Sequence, residues 1–273
     1  MKRYTWQTAL IEAGMVLTAL LFLVPVYLLV NIAIRPVRAP GSPLTPTLAP
    51  TLENFVTAWE SANLGRAMVN SFVVTILSLG LIIAISALAS YPLARIASRW
   101  SRSVYLFFMI GLLLPFQLAF IPLYQTFNSL GLLGTIWSLV LLYGGHQVPF
   151  TTFLYVSFLR ALPRDYEEAA LIDGCRPFQA FTRIVFPLLR PVTATVAILN
   201  VILIWNDFMS PLLYLGGSES QTIPVAIYGF VGEFTTVWPV VFSGLIIGML
   251  PVLVAFFALQ GRVMQGFSLG TKG

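Results

Sequence analysis

A chain of 273 residues that is 58% hydrophobic and only 9% charged cannot cover a water-facing globule, because soluble domains carry about 25% charged residues. Its mean hydropathy of +0.88 makes lipid part of its solvent. The net charge of +5 is dispersed over short segments, which excludes a nucleic-acid face; one cysteine and one histidine exclude a disulfide framework and a His-based metal site.

Six apolar runs are long enough to cross roughly 30 Å of hydrocarbon, which takes about 20 residues each. The first, Ala9–Ile34, exceeds the apolar core of a signal peptide and is followed by no small-x-small cleavage site, so it reads as a retained helix. A Pro-rich segment, Arg35 to Pro50, then reads as irregular. Thr51 is placed to cap a short helix that gathers Leu52, Phe55, Val56 and Trp59 on one face. Such a helix either lies along the membrane interface or packs on the mouths of the spans.

The second span is Ala67–Ser90 and the third Val104–Tyr124. The fourth, Leu132–Leu159, is interrupted by Gly144, Gly145 and Pro149, and the proline predicts a kink.

Glu167 to Pro191 is polar and charged between two apolar runs. Asp165 as N-cap with Glu168 three residues on predicts a capping box, and Gly174 suits a left-handed helix end. Pro177 suits a first helical turn and Pro187 a stop. The segment is therefore predicted as helix Tyr166–Asp173, a tight turn, and helix Pro177–Phe186. Small residues Ala169 and Ala170 sit on the first helix, and an apolar stripe of Phe178, Phe181, Ile184 and Val185 on the second. This is the pattern of a short helix docked in a groove, with a second tying it to the membrane body. Glu168 also has a purely local reading, as a cap of its own helix.

The fifth span, Val192–Leu213, carries Asn206 and Asp207; an intramembrane carboxylate is a functional candidate by default. Gln117, Asn200, Trp205, Asn206 and Asp207 are candidates for lining a pathway, since amides and aromatics suit sugar hydroxyls and ring faces. The same groups also pair helices inside membranes. The segment Gly216 to Thr236 has no Lys or Arg, and the sixth span, Val237–Leu259, holds Gly244-x-x-x-Gly248, a spacing that permits close helix packing.

With the N-terminus inside, twelve Lys/Arg fall in cytoplasmic segments and three (Arg35, Arg38, Arg66) outside. The positive-inside rule then puts both termini and the hairpin in the cytoplasm. No G-x-x-x-x-G-K-[ST] phosphate loop occurs, so any ATP hydrolysis belongs to another subunit.

Glu168-Ala169-Ala170, Asp173-Gly174, Phe181, Ile184 and Pro187 resemble the EAA signature of ABC-importer permeases, with Cys175 where alanine is more usual. Asn70-Ser71 and Trp205-Asn206-Asp207 resemble the smaller, six-helix subunit of the maltose-permease type, and Gly266 to Gly273 is similar to that family's Gly-rich ending. The resemblance implies an all-α integral membrane protein with the type I ABC importer transmembrane fold. It implies three parts: residues 1–64 with the first span and external loop, a core at 65–260 with a coupling hairpin at 161–191, and a cytoplasmic tail at 261–273. It implies a carbohydrate permease of the bacterial inner membrane that makes no chemical step. ATP and Mg would belong to two ATPase subunits contacted by the hairpin residues. A second homologous permease, an extracytoplasmic solute-binding protein and membrane lipid complete the expected partners. Glycerol-phosphate-type or other small polar solutes are the alternative substrates, and an ion-driven secondary carrier the alternative mechanism.

Overall fold

In a computed structural model, residues 5–39, 41–231 and 236–269 are described. Among them there is no strand, only an isolated bridge between Val231 and Thr236. The helices in chain order are α1 (Trp6–Ala33), α2 (Glu53–Ser61), α3 (Leu64–Arg95), α4 (Arg99–Leu113), α5 (Phe120–Ser129), α6 (Ile136–Ala161), α7 (Asp165–Ile172), α8 (Pro177–Ala180), α9 (Phe186–Leu188), α10 (Arg190–Asn206), α11 (Met209–Leu215), α12 (Ile223–Tyr228) and α13 (Trp238–Leu269). A 3₁₀ turn at Phe116–Ala119 precedes α5, and a π-helical turn at Phe181–Val185 joins α8 to α9. The packing forms two units, residues 1–65 with 226–251 and residues 66–225 with 252–273.

In the first unit α1 is apolar and exposed all round, as at Leu10, Leu21 and Phe22. Its last turn organises the Pro-rich segment through one amide. Asn31 Nδ2 donates to the carbonyls of Pro43 (2.7 Å) and Thr45 (2.9 Å), and its Oδ1 accepts from Thr47 N–H (2.9 Å). The expected side-chain cap of α2 is absent: its N-cap is Leu52, and Thr51 Oγ1 only closes a local turn by accepting from Glu53 N–H at 3.1 Å. Buried Asn54 donates to the carbonyls of Ala33 and Arg35, both at 2.8 Å, so Leu52, Val56 and Trp59 are turned outward. Gly244 is needed for close approach: a Cβ there would lie 3.2 Å from Ile227.

In the second unit α6 is the central element. Gly144 lets α3 and α6 touch, since a Cβ would meet Leu81 at 2.8 Å. One apolar cluster joins Val74 and Ile82 of α3 to Leu139 and Tyr143 of α6, Ile204 of α10 and Tyr214 of α11. A second, toward the hairpin, joins Ala87 of α3 to Tyr155 and Leu159 of α6 and to Phe181, Val185 and Val196.

Among the described residues three helices, α1, α3 and α13, are long and apolar enough to cross a membrane, and two bent pairs qualify if each is one span. The third predicted span is not continuous: α4 ends at Leu113, and the 116–129 segment leaves at 94°. Leu114 precedes Pro115, whose ring drives its neighbour to extended backbone, and ψ at Leu114 is 128°. The fifth is broken as well: Asp207 is extended (ψ 129°) between α10 and α11. The fourth runs as one helix past Pro149. It is not among those three helices, and its polar residues face protein rather than lipid: Ser138, Gln147, Thr151 and Thr152 are all buried. Helix α13 continues through residues 261–269, the first part of the expected tail, while residues 270–273 lie outside the described residues.

Candidate functional site

The acidic segment is helical from Asp165, one residue earlier than expected, and Asp165 is not its cap. The carbonyl of Arg164 accepts from the N–H groups of Glu167 (2.8 Å) and Glu168 (3.0 Å). Asp165, Glu167 and Glu168 instead sit together in the first turn, where the helix dipole favours carboxylates. Gly174 has φ +84°, the left-handed turn the sequence demands. The next helix starts at Pro177, with Gln179 Oε1 accepting from Arg176 N–H at 2.9 Å. That is half of a capping box, because an arginine side chain has no acceptor to return the bond. A single expected helix to Phe186 is replaced by a π turn in which Phe186 N–H bonds to Phe181 O, five residues back. The wider turn puts both Phe181 and Val185 in the core.

What holds this hairpin is a residue to which the signature assigns no role. Glu167, 6% exposed, accepts at Oε1 from Arg95 Nε (2.7 Å) and Nη2 (2.6 Å), and at Oε2 from Tyr91 OH (3.1 Å). Arg95 Nη2 also donates to Leu162 O (3.1 Å), and Arg164 Nη2 donates to Arg95 O (3.2 Å). The Tyr91 ring lies against Phe181, centroids 5.1 Å apart. The end of α3 is thus bonded to the first arm of the hairpin and packed against the second. Glu168, Ala169 and Asp173 are exposed, Ala170 and Phe181 buried, Ile184 and Pro187 half-buried. The tip presents apolar side chains outward: Leu171 is 47%, Phe178 67% and Ile172 86% exposed.

The five pathway candidates separate. Gln117, Asn206 and Asp207 line one cavity of about 440 Å³, together with Phe116, Tyr143 and His146. Both helix breaks open onto it, Pro115 through the following turn and Asp207 directly. Broken helices with polar backbone facing a cavity are where membrane transporters place binding groups. The Phe116 and His146 rings stack at 3.8 Å. Asp207 is tied down: Oδ2 accepts from Tyr143 OH (2.9 Å), and Oδ1 from the N–H groups of Met209 (3.1 Å) and Ser210 (3.4 Å), starting α11. Asn200 and Trp205 lie between helices instead. Asn200 Nδ2 reaches Thr151 Oγ1 on α6 at 3.4 Å, and Trp205 meets Phe72 of α3 edge-on at 4.9 Å. Among the described residues no group of three His, Cys, Asp or Glu could hold a metal ion.

At the far end of α3, Asn70 Nδ2 donates to the carbonyls of Glu219 (3.2 Å) and Gln221 (3.0 Å), and Ser71 Oγ accepts from Ile223 N–H (3.0 Å).

Residues 76–268 match the family described as the inner membrane component of binding-protein-dependent transport systems. The chain belongs to this family. The permease is 35% identical over 219 residues, 80% of each chain, to a probable starch degradation products transport system permease of Thermoanaerobacterium thermosulfurigenes. It is also 35% identical over 221 residues to the melibiose/raffinose/stachyose import permease of Bacillus subtilis, covering 81% of this chain and 80% of that one. With a sulfoquinovosyl glycerol transport permease of Agrobacterium fabrum it shares 35% over 222 residues, covering 81% of this chain and 78% of the other. Its fold matches a chain from a bacterial ABC transporter involved in the import of the acidic polysaccharide alginate, with TM-score 0.83, 17% identity and coverage of 96% of this chain and 99% of that one. The permease is therefore a transport component and a multi-pass protein of the bacterial inner membrane.

Proposed function

We propose that the permease forms half of the pathway of a carbohydrate ABC importer and couples it to ATP-hydrolysing subunits through the hairpin. The glycosidic substrates in the names of its relatives support the substrate class. In this reading six spans cross the membrane, with both termini and the hairpin cytoplasmic. A second, homologous permease completes the pathway, two ATP-binding cassette subunits holding ATP and Mg lie beneath, and an extracytoplasmic binding protein delivers the solute. Glu168, Ala169, Ala170, Asp173 and Gly174 form the docking arm, and Phe181, Ile184 and Pro187 fix it to the body. Gln117, Asn206 and Asp207, with Tyr143 and His146, face the solute. ATP-driven closure of the cassettes displaces the arm and with it α3, switching access from one side to the other.

The observation that carries the coupling role is an exposed apolar tip on a stem held by a buried ion pair. A free loop would need neither. The test is Ile172→Asp in the complex reconstituted with binding protein and cassettes. A charge forced into an apolar interface is expected to lower substrate-stimulated ATP hydrolysis and oligosaccharide uptake about tenfold or more, at unchanged levels of this subunit in the membrane. Uptake at the parent rate would refute the docking role.

A further inference from the structure

A cavity of about 830 Å³ lies where the end of α3 turns into α4. Its polar wall is cationic: Arg99, Arg102 and Arg160 line it, and no carboxylate does. Glu219 and Glu167 pair with Arg66 and Arg95, and among the described residues none of the three cavity arginines has an acidic partner. Arg160 is instead held over the Tyr105 ring, 4.9 Å from its centroid, which aims the guanidinium along the cavity wall. Three exposed arginines on one cavity wall raise the local positive potential, which an anion seated there would relieve. Each offers donors in the fork geometry that suits phosphate oxygens.

Apart from Ser98, Ser101 and Tyr105, the rest of the site is apolar. Leu93, Ala94, Ile96 and Leu106 form the remaining wall. Beyond it the outer face of α4 continues as Leu106, Ile110 and Leu113, spaced four and three apart and exposed by 52%, 57% and 81%. The stripe is about 10 Å long and ends about 16 Å beyond Arg102, at 1.5 Å per residue. A cationic socket at one end of an exposed apolar stripe matches an amphiphile with an anionic head and a hydrocarbon tail. A soluble anion would leave the stripe uncovered, and an acidic protein segment would not need it.

We propose that this cavity is a binding site for the phosphate headgroup of an anionic phospholipid, whose acyl chain lies along α4. The proposal rests on membrane residence alone, not on the coupling role of the hairpin. The test measures association of phosphatidylglycerol and phosphatidylcholine with the full-length chain in neutral detergent by native mass spectrometry. Phosphatidylglycerol is expected to be retained preferentially. Arg99→Gln and Arg102→Gln should each lower its association about fivefold, the effect of one basic residue near an anionic surface. Arg99→Lys with Arg102→Lys should keep most of it. Arg176→Gln with Arg183→Gln removes twice the charge of either single variant, but from the hairpin, and should change nothing. Equal retention of the two lipids, or an equal loss in the hairpin variant, would overturn the site. So would displacement of the lipid by millimolar inorganic phosphate, which would show a free-anion site, or a chain dimer that excludes lipid.

Discussion

Glu167→Gln preserves the size of the side chain and removes its charge, leaving Arg95 a cation whose side chain is 10% exposed. Breaking a buried ion pair from one side costs about 3–5 kcal/mol. The lower end applies, because Arg95 retains the Leu162 carbonyl and the new amide oxygen still accepts one bond. About 3 kcal/mol is more than a hundredfold in the equilibrium between docked and undocked hairpin. Hydrogen exchange reads that equilibrium directly. The N–H groups of Glu168, Asp173 and Cys175 are hydrogen-bonded within the hairpin and should exchange about a hundredfold faster in the variant, while the α6 amides stay unchanged. Arg95→Met with Glu167→Leu should recover much of the protection, since no unpaired charge stays buried. Exchange in Glu167→Gln within about threefold of the parent would refute the reasoning, as would a double variant as loose as the two single losses combined.

Asp207→Ala should lower the stability of the chain by about 2 kcal/mol, one part for the start of α11 and one for the Tyr143 hydroxyl. Asp207→Asn keeps an acceptor and should cost under half of that; thermal unfolding in detergent compares them, and equal losses would count against the capping role. Gly174→Val should cost about 1–2 kcal/mol from backbone strain alone, because a Cβ there meets nothing within 4 Å. Gly174→Asn, which tolerates φ +84°, should be markedly better in hairpin protection, and equal damage would point to a steric cause. Asn70→Ala with Ser71→Ala removes the three hydrogen bonds that hold 219–223 to α3. Limited proteolysis should then cut near Gly217 faster than in the parent; an unchanged rate would show that the segment is held by other contacts.

How much of this was legible in sequence differs by feature. The runs behind α1, α3 and α13 and the turn at Gly174 follow from local rules. The break at Leu114 was readable too, from the proline after it, but an apolar run masks it when length alone is counted. Helix α6 reads as a span from its length, but the polar Gln147, Thr151 and Thr152 that lower its hydropathy give no sign of facing protein, where all three are buried. Asp207 invited a pathway role; the structure adds a local one, since both its oxygens are engaged. The Arg95–Glu167 pair spans 72 positions, and no spacing rule connects the two. Glu168 carries the resemblance while its neighbour carries the bonds, because a signature marks residue types at offsets and not which side chain faces inward.

Helix α3 brings these features into one argument. Its Arg95 end is bonded to the hairpin and its Asn70 end to residues 219–223, about 38 Å apart at 1.5 Å per residue. Between these ends the backbone is one continuous helix, lacking one ladder bond at Pro92, and Gly144 brings α6 into direct contact with it midway. A hairpin displaced at one end therefore need not act through a chain of separate side-chain contacts. Under the proposed coupling role it would tilt α3 as one element, since a packed core yields by switching arrangement rather than by bending. The two fastenings share no partner, so their losses should add in stability. In transport they should not add, because an element that must be gripped at both ends fails when either grip is lost.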